Sequence, residues 1–246
     1  MTGRWKGFTL CLVFCFAIFF SLIASSKIKP AVSLMGGVAL THFKTTENIT
    51  LLPPYQDTFT GSNNDDTPFG GIFAGIESPF YQDFLWQIGL SYYQTSAFTA
   101  KGRIWQFTNP DFNNISYQEQ IKNQQILIET KFLGTINKKI ILHPYLTAAL
   151  GEAINTASDY TETALQPYVV KHPADFSDHT SHAFSYAFGL GLDVELTDHV
   201  RFGVGYRYAY LGRAQLGTMP GQESDDRLTE KNLATNAFLF NISLLG

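Results

Sequence analysis

From His182 to Arg213 the chain carries two runs in which apolar and polar positions alternate with period two around a short turn. In the first run Phe184, Tyr186, Phe188, Leu190, Leu192, Val194 and Leu196 take the even positions, and Ala183, Ser185, Ala187, Gly189, Gly191, Asp193 and Glu195 the odd ones. After Thr197-Asp198-His199 the parity resumes, with Val200, Phe202, Val204, Tyr206, Tyr208 and Tyr210 against Arg201, Gly203, Gly205, Arg207, Ala209, Leu211 and Arg213. This period belongs to strands, not helices. Because both runs keep apolar groups on even numbers, the connecting loop is odd in length. A three-residue loop sets Leu196 opposite Val200, Glu195 opposite Arg201, Gly191 opposite Gly205 and Gly189 opposite Arg207. That register predicts an ion pair beside the turn and a glycine across from a large arginine.

The polar face indicates where the apolar one points. A water-facing sheet surface favours Thr, Lys and Glu and avoids glycine. Here glycine and ionised groups share the face, which suits a narrow barrel lumen with Phe, Tyr, Val and Leu turned outward to lipid. The same parity recurs along the chain. A first strand over 31–43 places Val32, Leu34, Val38 and Leu40 on even positions, and a second covers 69–77. A third begins Phe84, Trp86, Ile88, Leu90, Tyr92, and a fourth over 117–134 sets Ile126, Ile128 and Phe132 against Glu129 and Lys131. A fifth covers 140–155, where Pro144 calls for a bulge. The opening pair follows, and an eighth strand from Leu233 carries Phe238, Phe240, Ile242 and Leu244.

Polar segments at about 44–68, 100–116, 158–181 and 217–230 read as long loops. They follow strands one, three, five and seven, while short turns follow two, four and six. This rhythm predicts an all-β fold, an eight-stranded antiparallel up-and-down transmembrane β-barrel. Strand eight closes on strand one, and both ends lie on the short-turn side.

Composition fits this picture: 45% of residues are hydrophobic, 15% aromatic and only 15% charged, an apolar surplus that needs lipid or a core. Beyond the N-terminus no stretch reaches the roughly 18 to 20 apolar residues of a spanning helix. The N-terminus itself reads as a signal peptide over 1–26: Arg4 and Lys6, an apolar run from Phe8 to Ile23, then Ala24-Ser25-Ser26. Residues 27–246 are then the barrel. Cys11 and Cys15 lie inside the signal, so the mature chain has no disulfide. The signal holds two of the 17 basic residues and none of the 21 acidic ones, which leaves a net charge of −6. No basic footprint for nucleic acid is present.

Three stretches carry a family likeness: His143-Pro144-Tyr145-Leu146-Thr147-Ala148-Ala149-Leu150-Gly151, Phe188-Gly189-Leu190-Gly191-Leu192-Asp193, and Gly205-Tyr206-Arg207-Tyr208 with Leu211-Gly212. With the strand rhythm, they resemble the eight-stranded outer-membrane barrel superfamily of OmpA-like and opacity-type surface proteins. The resemblance covers nearly all of residues 27–246. It implies residence in the outer membrane, contact with outer-membrane lipid, and handling by the barrel-assembly machinery. It departs at the end, where Leu245-Gly246 stands in place of the usual aromatic residue and Phe240 and Phe238 are the nearest substitutes.

Glu129, Lys131, Asp193, Glu195, Arg201, Arg207 and Arg213 are expected to form a lumenal ion-pair network, because buried charges must be paired. His172, Asp175, Asp178, His179 and His182 gather in one polar segment but match no metal-ligand spacing, so neither a metal nor another cofactor is expected. Some outer-membrane barrels modify lipid A with a serine and a histidine facing lipid; here Ser185 and His182 have opposite parity and face opposite ways. The expectation is therefore a surface-exposed, non-enzymatic barrel that displays its loops for adhesion or host interaction, with a host or extracellular ligand as partner. The rival reading is a small-solute channel, although eight strands leave little open lumen. A soluble lipid-carrying barrel is the third.

Overall fold

A computed structural model describes residues 28–246 apart from positions 82, 138, 139 and 173. The predicted signal peptide over 1–26 lies outside the described residues. Ten strands follow in order: β1 (Lys29–Leu52), β2 (Tyr55–Tyr81), β3 (Phe84–Thr95), β4 (Phe98–Trp105), β5 (Asn113–Gly134), β6 (Ile136–Asn137), β7 (Ile141–Ala164), β8 (His179–Thr197), β9 (Val200–Gln215) and β10 (Thr229–Leu245). They fill eight places in a closed antiparallel ring. β4 takes over from β3 between β2 and β5 after a break at Ser96-Ala97, and β6 is a short piece beside the β5–β7 turn. Closure runs from Ala31 opposite Leu245 to His42 opposite Ala234. A closed ring leaves no unpaired edge, which is what a strand needs in lipid.

Even-numbered residues form an outward belt. Leu34, Leu90, Ile128, Leu146 and Phe238 are each more than 60% exposed. Such a continuous apolar surface is untenable in water and natural in lipid.

The strands are much longer than that belt. Spanning takes about 9 to 11 residues per strand, whereas β1, β2, β5 and β7 have 24, 27, 22 and 24. The surplus stands beyond the belt as an extension with its own core, and this overturns much of the predicted loop map. Residues 44–68 are not a loop: β1 and β2 stay paired from Lys29 opposite Glu77 up to Leu52 opposite Tyr55. Residues 100–116 are mostly β4 and the start of β5, which leaves two 3-10 turns between them. β7 continues to Ala164, so the third connection is 165–178, and the fourth is 216–228. The inward parity never changes along β1 and β5, but the chemistry on each face does. Above the belt the outward side meets water and becomes Thr, Ser, Gln and Lys. The inward side becomes apolar, with Phe43, Ile49, Phe59, Ile104, Ile115, Tyr117 and Ile121 all buried.

Three local details also differ from expectation. Pro144 faces Leu192 in unbroken register, with no bulge. In the opening hairpin Glu195 faces Arg201, Gly191 faces Gly205 and Gly189 faces Arg207, but Thr197 rather than Leu196 faces Val200. A two-residue turn, Asp198-His199, closes the hairpin, and Leu196 is absorbed as an irregularity. Finally, Gly212 has φ of 76° and a register shift against β10, so parity slips by one residue. Leu211 keeps the odd inward parity just before the slip, and Ala214 and Leu216 point inward after it. Arg213, expected in the lumen, is turned out to solvent.

Candidate functional site

Within the belt the lumen is polar. Arg201 grips Glu77 through two bonds, Nη1 to Oε2 at 2.5 Å and Nη2 to Oε1 at 3.1 Å, and Gln87 donates to Glu77 at 2.7 Å. Glu195 lies 3.7 Å from Arg201 Nε and 2.9 Å from His143 Nε2. Lys131 pairs with Asp193 at 2.5 Å and sits 3.9 Å over the Tyr145 ring. Tyr93 donates to Glu129 at 2.8 Å, and Arg207 stacks 4.0 Å above the same ring while donating to Gln125. Six of the seven predicted lumenal charges thus meet inside; Arg213 does not. Sequence reasoning missed Glu77, the main partner of Arg201, because the facing of the second strand could not be assigned from its glycine-rich run. It also missed His143, although His143 shares the parity of its neighbour Tyr145. Two lumenal glycines make room for Tyr145: a Cβ on Gly191 or Gly205 would lie within 2.4 Å of its hydroxyl, while Gly71 makes room for Tyr93 and Gly203 for Asp193 and Asn241.

What space remains is small. A cavity of about 30 Å³ lies among Met35, Gln87, Tyr93, Lys131, Tyr145 and Arg207, enough for a water or two. Above it, Asn123 donates to Asn155 at 2.6 Å, and Asn155 reaches the carbonyls of Leu211 and Arg213.

Higher still, the extension is filled by an aromatic cluster. Phe59 packs with Tyr117, Phe176 and His172, and Tyr160 packs with Tyr117 and Phe176. Beside it Glu119 and Glu230 are both buried, and Tyr117 donates to Glu230 at 3.3 Å. Burial first, then the charge of Glu230, pushes Glu119 well above the usual carboxylate range. Burial also raises Glu230, against hydrogen bonds from Thr45, Glu119 and Tyr117 that pull it the other way.

Connections 165–178 and 216–228 fold inward over this core and knit to each other, with Gly217 N–H donating to the Ser177 carbonyl at 2.8 Å. The first is strapped down by His172. Its Nδ1 meets Glu162 at 2.7 Å and its Nε2 meets Asp57 at 2.8 Å. Burial alone would lower its pKa, but the bonds and charges of Asp57 and Glu162 outweigh that and push it up to about 9. Glu162 is opposed by burial too, yet His172 and Tyr160 hold it below the usual range. The His/Asp cluster expected over 172–182 therefore does not converge. His172 belongs to the strap, Asp178 accepts from the Asp159 N–H, and His182 faces outward to Glu152. Among the described residues no three His, Cys, Asp or Glu side chains are placed to hold a metal ion. Ser185 points inward and donates to the Tyr210 carbonyl, on the opposite face from His182.

At the tip stands an exposed aromatic group. Tyr55, Phe107 and Phe112 are 62%, 58% and 46% exposed and meet edge to face at 5.9 and 6.3 Å. Phe107 sits in left-handed backbone, φ 56° and ψ 30°, with its N–H donating to Asp57 at 2.7 Å. A bulky residue held there is uncommon and costs about 1–3 kcal/mol.

A family model described as "Outer membrane protein beta-barrel domain" matches residues 12–244. The chain belongs to that family. As a family member it resides in the cell outer membrane, and its outward belt faces that membrane's lipid. Similar solved structures include the Neisserial surface protein A, 12% identical with a TM-score of 0.39, covering 87% of this chain and 97% of that one. Ail of Yersinia pestis, crystallised with the heparin analogue sucrose octasulfate, is 12% identical with a TM-score of 0.39 over 88% and 99% of the two chains. The outer-membrane protease OmpT of Escherichia coli is 10% identical with a TM-score of 0.41 over 90% and 97%. No curated protein matches the sequence.

Proposed function

We propose that this outer-membrane barrel is a sealed surface-display protein whose tip binds a partner on a host or other extracellular surface, and that it carries out neither catalysis nor conduction. The observation that carries the reading is the aromatic tip. Tyr55, Phe107 and Phe112 are presented to solvent on top of a filled barrel, and Phe107 is held there in left-handed backbone. Aromatic side chains supply much contact area at little entropic cost, and they anchor many interfaces. The interior supports the negative half. Ion pairs fill the lumen within the membrane and an apolar core fills the extension above it, so a continuous water path is disfavoured. The strap histidine has both ring nitrogens engaged by carboxylates, which leaves it no free position for acid–base work.

The test replaces Tyr55, Phe107 and Phe112 together with serine in the full chain displayed on a non-adherent bacterium. Heat-modifiable gel migration serves as the control for folding. Wild-type cells should bind host-cell monolayers above the background of an empty strain, and the folded variant should lose most of that excess. Equal binding by variant and wild type, or no excess over background on any host surface, would overturn the reading.

A further inference from the structure

The outer wall of the extension carries charge of one sign where the rest of the chain is acidic. Three adjacent strands, β1, β2 and β4, meet there. Lys44 faces Ser62, Thr46 faces Thr60, and Thr60 faces Arg103, with Gly61 beside Gly102 and Lys101 next in line. Lys44, Lys101 and Arg103, all exposed, line one groove of about 420 Å³ with the hydroxyls of Thr46, Thr60 and Ser62, and no carboxylate lines it. Among the described residues the ion pairs formed by lysine and arginine involve Lys131, Arg201 and Lys231 and none of these three. Lys122, outward on β5, extends the same sign around the wall. The nearest outward carboxylate on β2 is Asp66, four residues from Ser62 and opposite Leu40. The full sequence has a net charge of −4, so this clustering does not come from a generally basic surface.

Position identifies the occupant. Lys44 lies four residues beyond Leu40, the apolar outward position that precedes it at the top of the belt on β1, so about 13 Å along the strand at roughly 3.3 Å per residue. It also lies eight residues short of the turn at Leu52, and the groove opens sideways instead of upward. A soluble partner reaching the tip would not meet it first, whereas sugars rising from the lipid surface pass directly beside it. We propose that this groove binds the phosphorylated saccharide headgroup of an outer-leaflet glycolipid in the protein's own membrane. The lysines and arginine would meet its phosphates and the threonine and serine hydroxyls its sugar oxygens. This site is separate from the aromatic tip and does not depend on what the tip binds.

The experiment compares the full chain with Lys44→Gln/Lys101→Gln/Arg103→Gln, each in mild detergent, for binding of purified lipopolysaccharide and of the same glycolipid stripped of phosphate. Basic residues near an anionic lipid surface contribute about fivefold each in affinity, so the triple variant should bind on the order of a hundredfold more weakly. The dephosphorylated glycolipid should bind wild type as poorly as the variant binds the intact one, and wild-type binding should weaken as salt rises. Heat-modifiable migration checks the fold, and should the triple variant fail to fold, single Arg103→Gln and the salt titration of wild type carry the same comparison. Equal binding by a folded variant, or undiminished binding of the dephosphorylated form, overturns the proposal. Tighter binding of soluble heparin than of the glycolipid overturns it as well, by reassigning the groove to a free sulfated glycan.

Discussion

At the scale of single residues, the lumen shows how charge survives inside a barrel. Arg201 and Glu77 are each about 5% exposed at the side chain and are joined by two bonds. Removing one member strands the other, at a cost of about 3–5 kcal/mol. Arg201→Met should therefore lower the urea midpoint of refolded barrel in lipid vesicles, and adding Glu77→Met should restore much of the loss. A single variant as stable as wild type would contradict the pairing. His172 makes a second residue-level prediction. Its pKa is raised above the ordinary value near 6.5 to about 9, so the strap's contribution is fully present below the ordinary value and fades as pH rises through 9. The buried Glu119–Glu230 pair pushes the same way, since raised carboxylates favour folding at low pH and lose that advantage as pH rises. Segment 165–178 should resist subtilisin at pH 7 and be nicked at pH 10, and His172→Ala should be nicked at both. Protection of the alanine variant at pH 7 would mean the imidazole does not hold the strap.

At the scale of elements, the bulge at Gly212 decides which side chains fill the upper interior. A Cβ there would meet the Ala183 Cβ at 2.4 Å on top of a positive φ. Gly212→Val should cost about 1–3 kcal/mol by the same vesicle unfolding assay, while Gly221→Ala, with open space around it, should cost less despite its own positive φ of 82°. The sequence made the lipid-crossing half legible, because there one face is uniformly apolar and parity alone sets the register; Glu195 against Arg201 followed from it. The extension was not legible for a physical reason. Beyond the belt the apolar positions pass from even to odd numbers with no change in strand geometry. On β5, Ile126 and Ile128 face out while Ile115, Tyr117 and Ile121 face in. Read as one pattern, that exchange looks like lost alternation and hence like loop. Polar hairpin residues such as Asn63, Asn64, Asp65 and Asp66 reinforced the impression. The slip at Gly212 hid Arg213 in the same way, since nothing in Leu211-Gly212-Arg213 marks a positive φ beyond the glycine itself.

At the scale of the whole molecule, two interiors are stacked in one ring, polar within the membrane and apolar above it. That order is the reverse of the usual association of membranes with grease and water with polarity, and it follows from which face each solvent touches. It also closes the ring at two levels by different means. Reconstituted in planar bilayers, the protein should give no discrete openings at moderate voltage. Regular unitary steps would restore the channel reading and undo the sealed interior.

The unequal strand lengths have a further consequence. β1, β2, β5 and β7 stand tall, whereas β8, β9 and β10 have only 19, 16 and 17 residues. The rim is therefore slanted, with the aromatic rings at the crest of its high flank. Some twelve residues of β1 lie beyond Leu40, so the crest clears the bilayer by roughly 30 Å at 3.3 Å per residue and a 40° tilt. A short sugar coat leaves that crest uncovered, while long surface polysaccharide overtops it. Reach, set by strand length, then determines when the tip can touch anything: the same crest stands clear of a short coat and is masked by a long one.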